Sequence, residues 1–310
     1  MDLTQDVSSM CAAHAASQQV SSIDLSEAEA RFVAEREPLV GLRPVQVPGI
    51  SAGRQSRVSV MAYKQHGQTR HVIWKRMADG KGLTREEANE MWVRVPHYKA
   101  SLESGGWKIP KLLYSTVYEV SASESQIFSY EQFISGGDGD AMLSDPGEPN
   151  FRKWHFVSEV LRTLFAYPKS SLKRAMIADR DLTVLPHGLD LKAANFVLEQ
   201  GTNHLYFVDL FGPKELDDRR QWRFYSSKID LLPPDNLRAV CATREGCILR
   251  FWRLARRLWE PEKTRRRKLT GELLKQIEAL DPPAYEFEFI KNEIQDDYPW
   301  LTKLYSERHI

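Results

Sequence analysis

Three polar residues at fixed separations within one short stretch constrain this chain most. Asn195 lies five positions after Asp190, and Asp209 lies fourteen positions after Asn195. Two apolar runs, 196–198 and 205–208, flank a turn-forming Gln-Gly-Thr-Asn sequence, which predicts a β-hairpin. A hairpin of that length returns Asp209 to the end at which Asn195 lies, so both side chains could reach one cation.

The residue types in this stretch suit phosphoryl transfer from a metal-bound nucleotide. Asp190 can orient or deprotonate an acceptor hydroxyl, and Lys192 can neutralise the migrating phosphoryl group. Asn195 and Asp209 offer oxygen ligands of the kind that Mg²⁺ prefers. We therefore predict Asp190 and Lys192 as catalytic residues and Asn195 and Asp209 as metal ligands.

The same residues resemble the catalytic loop and the metal-binding Asp of the protein-kinase-like superfamily, especially its aminoglycoside-phosphotransferase-like branch of small-molecule kinases. One departure is Leu189, an extra residue that places His187 one position early relative to the family's His-Gly-Asp or His-Arg-Asp order. A second is Lys192, which matches the Asp-x-Lys of serine/threonine protein kinases better than the Asp-x-His common in antibiotic kinases. The resemblance implies ATP and Mg²⁺ as cofactors.

The order of the predicted elements agrees with this resemblance. Strands and one helix precede a Gly-rich joint at 136–139, and mostly helical patterns follow it. We predict an α+β, bilobal protein-kinase-like fold with a small β-rich N-lobe and a larger, mainly helical C-lobe, and expect the nucleotide in the cleft between them. The predicted domains are a flexible tail at 1–24, a nucleotide-binding N-lobe at 25–132, and a catalytic and acceptor-binding C-lobe at 133–310.

Hydrophobic periodicity and turn residues place the individual elements. A hairpin is predicted with its strands near 58–63 and 71–75. Helices are predicted at 26–36, 84–101, around 154–164, and near 246–260, 268–280 and 286–306. Two further strands are predicted at 111–120 and 126–131.

The resemblance implies three parts of a nucleotide site in the N-lobe: a loop over the phosphates, a lysine that binds them, and a carboxylate that pairs with the lysine. The loop containing Gly53 and Ser56 precedes the hairpin and has small residues where backbone would approach phosphates. Lys75 ends an apolar run on the return strand, where an unpaired charge is unfavourable. We therefore predict that Lys75 binds the α- and β-phosphates, with Arg76 as the rival candidate.

Two carboxylates and one apolar residue complete the predicted N-lobe site. Glu87, on the helix after the hairpin, is predicted to pair with Lys75, and Glu90 is the alternative. The alternative without a functional role is that these glutamates are solvated acids in the first turn of a helix. Backbone groups of the segment from Glu131 to Phe133 are predicted to contact adenine, although an ordinary strand end would have a similar sequence.

Composition excludes several classes of protein. Hydrophobic residues make up 42% of the 310, charged residues 27%, and the formal net charge is +1, so global charge does not favour a nucleic-acid partner. Three cysteines with no C-x-x-C motif fit a reduced, cytoplasmic compartment and no zinc site. No apolar run approaches the roughly 20 residues of a membrane span, and no signal peptide is evident at the N-terminus.

The sequence gives less information about the acceptor of the phosphoryl group. Residues 238–268 contain eleven Arg or Lys and three Glu, which could bind an anionic acceptor or could form the solvated face of amphipathic helices. The leading hypothesis is an ATP- and Mg²⁺-dependent phosphotransferase that acts on a hydroxyl of a small molecule, such as a sugar, an antibiotic or another metabolite. The alternatives are a glycan, lipopolysaccharide-type or protein kinase, and a catalytically inactive nucleotide-binding protein of the same fold.

Overall fold

A computed structural model describes residues 43–45, 56–65, 68–77, 83–210, 212, 232–262 and 265–307. These residues belong to two compact units. The first contains the described residues up to Val93 together with Pro110–Ile134, and the second contains Arg94–Ile109 and the described residues from Ser135 onward. The predicted helix at 26–36 and the predicted loop residue Gly53 lie outside the described residues.

The first unit is built on a five-stranded antiparallel sheet. Its strands are β1 (Arg43–Val45), β2 (Ser56–Gln65), β3 (Gln68–Met77), β4 (Leu112–Ser121) and β5 (Glu124–Gln132), in the order β1-β2-β3-β5-β4. The predicted hairpin is present, with Gln65 opposite Gln68 across the turn. The indole of Trp74 on β3 stacks on Phe128 of β5 at 5.9 Å between ring centroids, and such aromatic pairs stabilise a sheet.

Helix α1 (Arg85–Ser104) begins in the first unit and ends in the second. It begins at a capping box, because the backbone N–H of Thr84 donates to the Glu87 carboxylate and the N–H of Glu87 donates to the Thr84 hydroxyl. In the first unit, the indole N–H of Trp92 donates to the Ser115 hydroxyl at 2.8 Å. This bond ties α1 to β4.

The second unit is mainly helical. Its remaining helices are α2 (Gly139–Ser144), α3 (Asn150–Phe165), α4 (Pro234–Cys241), α5 (Arg244–Trp259), α6 (Arg266–Glu278), α7 (Ala284–Gln295) and α8 (Pro299–Ser306). Two hairpins accompany them, formed by β6 (Lys173–Ile177) with β7 (Arg180–Val184) and by β8 (Phe196–Leu198) with β9 (Leu205–Phe207). The predicted α+β class, a small β-rich part followed by a larger helical part, is confirmed.

Helix α5 forms the centre of the second unit. Every residue from Arg244 to Trp252 is buried, as expected of a helix that is surrounded on all sides. Thr243 caps its N-terminus by accepting a hydrogen bond from the Gly246 N–H. A Cβ at Gly246 would lie 1.8 Å from the Ala239 carbonyl oxygen, so only glycine allows α4 and α5 to approach so closely.

The last predicted helix is wrong in one respect. We predicted a single helix near 286–306, but the chain breaks it between Gln295 and Pro299. Asp297 and Tyr298 adopt left-handed backbone conformations, with φ of 62° and 64°. Pro299 cannot donate a helical hydrogen bond and is tolerated as the first residue of α8.

Candidate active site

Buried contacts within the second unit hold the loop 187–195. The Tyr98 hydroxyl donates to the carbonyl of Gly188 at 2.7 Å, and the Leu189 N–H donates to the carbonyl of Cys241 at 2.6 Å. Leu189 itself is completely buried. The extra residue of the loop is therefore a core side chain that fixes the loop against the end of α4.

His187 is a buried anchor of the same loop. Its Nδ1 lies 2.8 Å from the Ser101 hydroxyl and its Nε2 lies 2.8 Å from the Tyr167 hydroxyl, which also accepts from the Trp107 indole N–H. Burial lowers the pKa of His187 to about 4, so the ring is neutral at pH 7. His187, displaced by the extra Leu189, therefore has a structural role, because both of its ring nitrogens lie within hydrogen-bonding distance of hydroxyl groups inside the unit.

Both carboxylate oxygens of Asp190 contact cations. Oδ1 contacts Nη2 of Arg250, and Oδ2 lies 3.2 Å from Nζ of Lys192. Arg250 is buried on α5 and also donates from Nη1 to the carbonyl of Leu191 at 3.4 Å. The two contacts set the orientation of the carboxylate. Lys192 is about one-third exposed, so its side chain has room to move.

The Asn195 amide joins the two aspartates. Its Nδ2 donates to the backbone carbonyl of Asp190 at 2.7 Å and to Oδ2 of Asp209 at 2.9 Å. The backbone carbonyl of Asn195 accepts from the Val208 N–H at 2.8 Å. The hairpin of β8 and β9, with Phe196 opposite Phe207, brings these residues together across fourteen positions of sequence.

The donor set of this cluster fits one Mg²⁺ ion. The amide nitrogen of Asn195 is directed to Asp190 and Asp209, so the amide oxygen is the atom of Asn195 that suits a cation. Asp209 adds carboxylate oxygen, and Mg²⁺ is commonly held by one or two such ligands together with phosphate and water. In the described part of the chain, no group of three or more His, Cys, Asp or Glu side chains is placed to hold a metal.

Glycine is required where α2 packs against the hairpin. At Gly136, φ is 145° and an added Cβ would lie 2.4 Å from the carbonyl oxygen of Leu198. At Gly139, a Cβ would lie 2.6 Å from the carbonyl oxygen of Ala193, inside the short 3₁₀ turn that ends at Asn195. The Gly-rich joint predicted from sequence therefore packs against the β8–β9 hairpin and the loop 187–195.

In the first unit, Lys75 and Glu131 form a buried ion pair. Lys75 Nζ lies 2.6 Å from Glu131 Oε2, and the other carboxylate oxygen accepts from the Ser129 hydroxyl at 3.0 Å. Lys75 lies opposite Ser129 across the β3–β5 ladder, and Glu131 is two residues further along the same strand. Residues two apart on a strand face the same side, which explains why Glu131 reaches Lys75.

This pair corrects the prediction that Glu87 pairs with Lys75. The Glu87 carboxylate accepts from the backbone N–H and the hydroxyl of Thr84, at 2.8 and 3.0 Å, at an exposed helix end. The capping interaction satisfies Glu87 locally, whereas Glu131 is buried in the sheet and needs a cation.

The predicted adenine segment begins at Glu131 on β5, and its contact with adenine stays a prediction. The sheet register pairs Glu131 with Ile73 on one side and Leu112 on the other, so its main chain belongs to the ladder and its side chain serves Lys75. Phe133 follows the end of β5, with its ring 5.4 Å from that of His71. Its predicted role and that of Ser56, the first residue of β2, remain predictions.

The basic region 238–268 is more buried than the amphipathic interpretation predicts. Ile248, Phe251, Trp252 and Ala255 are buried as expected. However, four arginines are also buried, and three of them contact carboxylates. The buried arginines are Arg238, Arg244, Arg250 and Arg256, and the ion pairs join Arg244 to Glu286, Arg250 to Asp190 and Arg256 to Asp297.

Sequence reasoning missed two residues of the site, Arg250 and the side chain of Glu131. A charged residue within an apolar, β-prone run was the available signal for Glu131, because a buried carboxylate requires a partner. For Arg250, the signal was its position three residues after Cys247 and two before Trp252, within a stretch whose other residues form the core.

Comparison with known proteins identifies no family. No protein-family model matches the chain, and no curated protein matches its sequence. Among solved structures, the chain is similar to one titled "WaaP in complex with acyl carrier protein", at 14% identity and a TM-score of 0.43, over 91% of this chain and 95% of that one. A likeness of this degree assigns neither substrate nor partner. Within the described residues, no helix is both long enough and apolar enough to cross a bilayer.

Proposed function

We propose that the protein is an ATP- and Mg²⁺-dependent phosphotransferase that transfers the γ-phosphate of ATP to a hydroxyl group of a small molecule. The observation that carries the proposal is the Asn195 amide, which bonds to the Asp190 backbone and to the Asp209 carboxylate at once. A base, an amide and a second acid held together in this way are the set that positions an acceptor and a metal-bound phosphate.

Each side chain has a role in the proposed reaction. Asp190 accepts the proton of the acceptor hydroxyl while the hydroxyl oxygen attacks the γ-phosphorus and the bond to the β-phosphate oxygen breaks. Lys192 lies 3.2 Å from Oδ2 of Asp190, so the acceptor hydroxyl would displace it from that oxygen. The displaced ammonium group could then neutralise charge on the transferred phosphoryl group.

Asn195 and Asp209 would hold Mg²⁺, which supplies neutralisation of the developing phosphate charge. Lys75 would donate to the nucleotide phosphates, held in place by the 2.6 Å contact with Glu131. Arg250 does not reach the reactants in this proposal but maintains the orientation of Asp190.

A non-catalytic nucleotide-binding protein is the second candidate. The observation that favours it is that both oxygens of Asp190 already contact cations, Arg250 and Lys192. An acceptor hydroxyl would have to displace one of these cations before it could reach a carboxylate oxygen. The glycan, lipopolysaccharide-type and protein-kinase alternatives differ from the leading proposal only in acceptor.

Radiolabelled ATP and a panel of hydroxylated metabolites test the proposal. We expect phosphate transfer by the wild-type protein and a loss of at least about a thousand-fold in Asp190→Asn, with ATP affinity retained. The non-catalytic alternative predicts a different result. The protein would bind ATP in a Mg²⁺-dependent manner, but it would show no phosphate transfer and no ATP hydrolysis that the Asp190→Asn substitution lowers.

A further inference from the structure

Helix α5 carries a row of three arginines that begins at the candidate base. Arg250, Arg253 and Arg257 are spaced by three and four residues, so they lie along one face of the helix. Arg250 is buried against Asp190, Arg253 is half-buried and Arg257 is exposed. The row therefore leads from Asp190 to the surface of the second unit.

Two tyrosines of the C-terminal region line this row. The guanidinium carbon of Arg253 lies 5.9 Å from the ring centroid of Tyr298 and 5.8 Å from that of Tyr305. Burial raises the pKa of Tyr305, and the charges of Arg250 and Asp190 also act on it. Arg253 lies one helical turn from Arg250, which contacts the candidate base Asp190.

The row has cations in excess of anions. Among the described residues, the salt bridges of α5 join Arg244, Arg250 and Arg256 to carboxylates, and neither Arg253 nor Arg257 forms one. The nearby Asp297 is engaged by Arg256 at 2.6 Å. Burial, and then repulsion from Arg257, lower the pKa of Arg253. A half-buried cation without a carboxylate partner is unfavourable, and an anionic ligand would relieve that cost.

We propose that Arg253, with Arg257 and Tyr305, forms an anion-binding subsite beside Asp190 that holds a phosphate or carboxylate group of the acceptor. The inference rests on the proposed function, because Asp190 marks the acceptor side. It extends that function by specifying the acceptor class, a hydroxylated molecule that also carries an oxyanion. Arginine recognises such groups with paired hydrogen bonds. A polycationic acceptor, such as an aminoglycoside, is disfavoured at this subsite.

A binding measurement without nucleotide tests the subsite independently of catalysis. Titration calorimetry with inorganic phosphate and with glucose 6-phosphate is performed on the wild type, Arg253→Gln, Arg257→Gln and Arg267→Gln. Arg267 is an exposed arginine on α6, so its variant matches the charge change at another place. We expect roughly ten-fold weaker binding in Arg253→Gln, a smaller loss in Arg257→Gln, and unchanged binding in Arg267→Gln.

One further variant and two further ligands complete the binding test. Lys75→Gln should leave the Arg253-dependent part of this binding unchanged, because Lys75 belongs to the proposed nucleotide contact. Glucuronate should behave like glucose 6-phosphate, and glucose should not bind. Absence of saturable binding by the wild type, equal losses in Arg253→Gln and Arg267→Gln, or loss only in Lys75→Gln would overturn the subsite.

Kinetics separate failure of the subsite from failure of the proposed function. If both hold, Arg253→Gln raises the acceptor KM by roughly ten-fold and changes kcat and the ATP KM little. Anion binding that depends on Arg253, without phosphate transfer to any acceptor, would retain the subsite and reject the kinase. Transfer to neutral or cationic acceptors with a KM that Arg253→Gln leaves unchanged would retain the kinase and reject the subsite.

Discussion

Arg250 Nη2 contacts Oδ1 of Asp190 across 60 positions of sequence, and both side chains are buried. The arginine comes from the central helix of the second unit, and the aspartate comes from a loop that the same unit holds through its backbone. The candidate base is thereby joined directly to the buried stretch of α5. The contact gives Asp190 one orientation and leaves its second oxygen next to the more exposed Lys192.

Loss of the Arg250 guanidinium should reduce both stability and activity. Arg250→Met leaves the buried Asp190 without its main partner, which is expected to cost about 3–5 kcal/mol of unfolding free energy. Arg250→Lys keeps the charge but loses the planar fork, so we expect a smaller loss of stability and a fall in kcat of roughly ten- to a hundred-fold. Urea unfolding and acceptor kinetics measure the two effects.

The double variant Arg250→Met with Asp190→Asn is the control for that experiment. Removing both charges should recover most of the stability lost in Arg250→Met, while activity stays absent because the base is missing. If Arg250→Met had wild-type stability and kcat, the positioning role of Arg250 would be wrong.

The Lys75–Glu131 pair predicts a contrast between two glutamates. Glu131→Gln removes the buried carboxylate that lies 2.6 Å from Lys75, so we expect ATP affinity to fall by at least about ten-fold. Glu87→Gln removes a capping carboxylate at an exposed helix end, which should cost about 1 kcal/mol of stability or less and leave ATP affinity unchanged. Calorimetric titration with ATP compares the two, and a larger loss of affinity in Glu87→Gln would restore the pairing predicted from sequence.

Much of the fold could be predicted because its signals are local. The β2–β3 hairpin, α1, α3 and the β8–β9 hairpin all follow from periodicity within a single segment and from turn residues at its ends. The β6–β7 hairpin, α4 and the six-residue helix α2 were missed. The strands of that hairpin are only five residues long and largely exposed in β6, and α4 has only eight residues, so neither gives a strong periodic pattern.

The site was predicted where its residues are neighbours in sequence and missed where they are not. Asp190, Asn195 and Asp209 lie within one loop and hairpin, and their spacing reflects their contacts. Glu131 lies 56 positions from Lys75, and no local pattern records that pairing. For Glu87, a local signal was present, since Thr84 and Glu87 have the spacing of a capping box, and that interaction competes with any distant one.

The Asn195–Asp209 contact predicts how activity depends on metal. Asp209→Ala should abolish the effect of Mg²⁺ on ATP binding, because the only carboxylate of the proposed metal pair is lost. Asn195→Ala should raise the Mg²⁺ concentration required for half-maximal activity by at least about ten-fold, because both the amide oxygen and the hydrogen bond to Asp209 are removed.

Magnesium titrations of ATP binding and of phosphate transfer measure both effects. Asp181→Ala is the matched control, because Asp181 is an exposed carboxylate that pairs with Arg174 on the β6–β7 hairpin. An unchanged Mg²⁺ requirement in both Asn195→Ala and Asp209→Ala would place the metal elsewhere.

The buried His187 predicts a pH dependence of stability with a definite sign. Its folded pKa of about 4 lies below the ordinary value of about 6.5, so between these pH values the unfolded chain binds more protons than the folded one. Stability from this group is therefore complete above pH 6.5 and is lost as the pH falls toward 4, by at most about 3 kcal/mol. Burial and the charge of Glu286 raise the pKa of Glu245, which contributes a slope of the opposite sign in an overlapping range. A comparison with the His187→Gln variant separates the two groups.

Because Glu245 is present in both the wild type and His187→Gln, the difference in their unfolding free energies isolates the contribution of the histidine. That difference should shrink or reverse as the pH falls from 6.5 to 4. A difference that is constant across this range would show that His187 does not titrate with the lowered pKa.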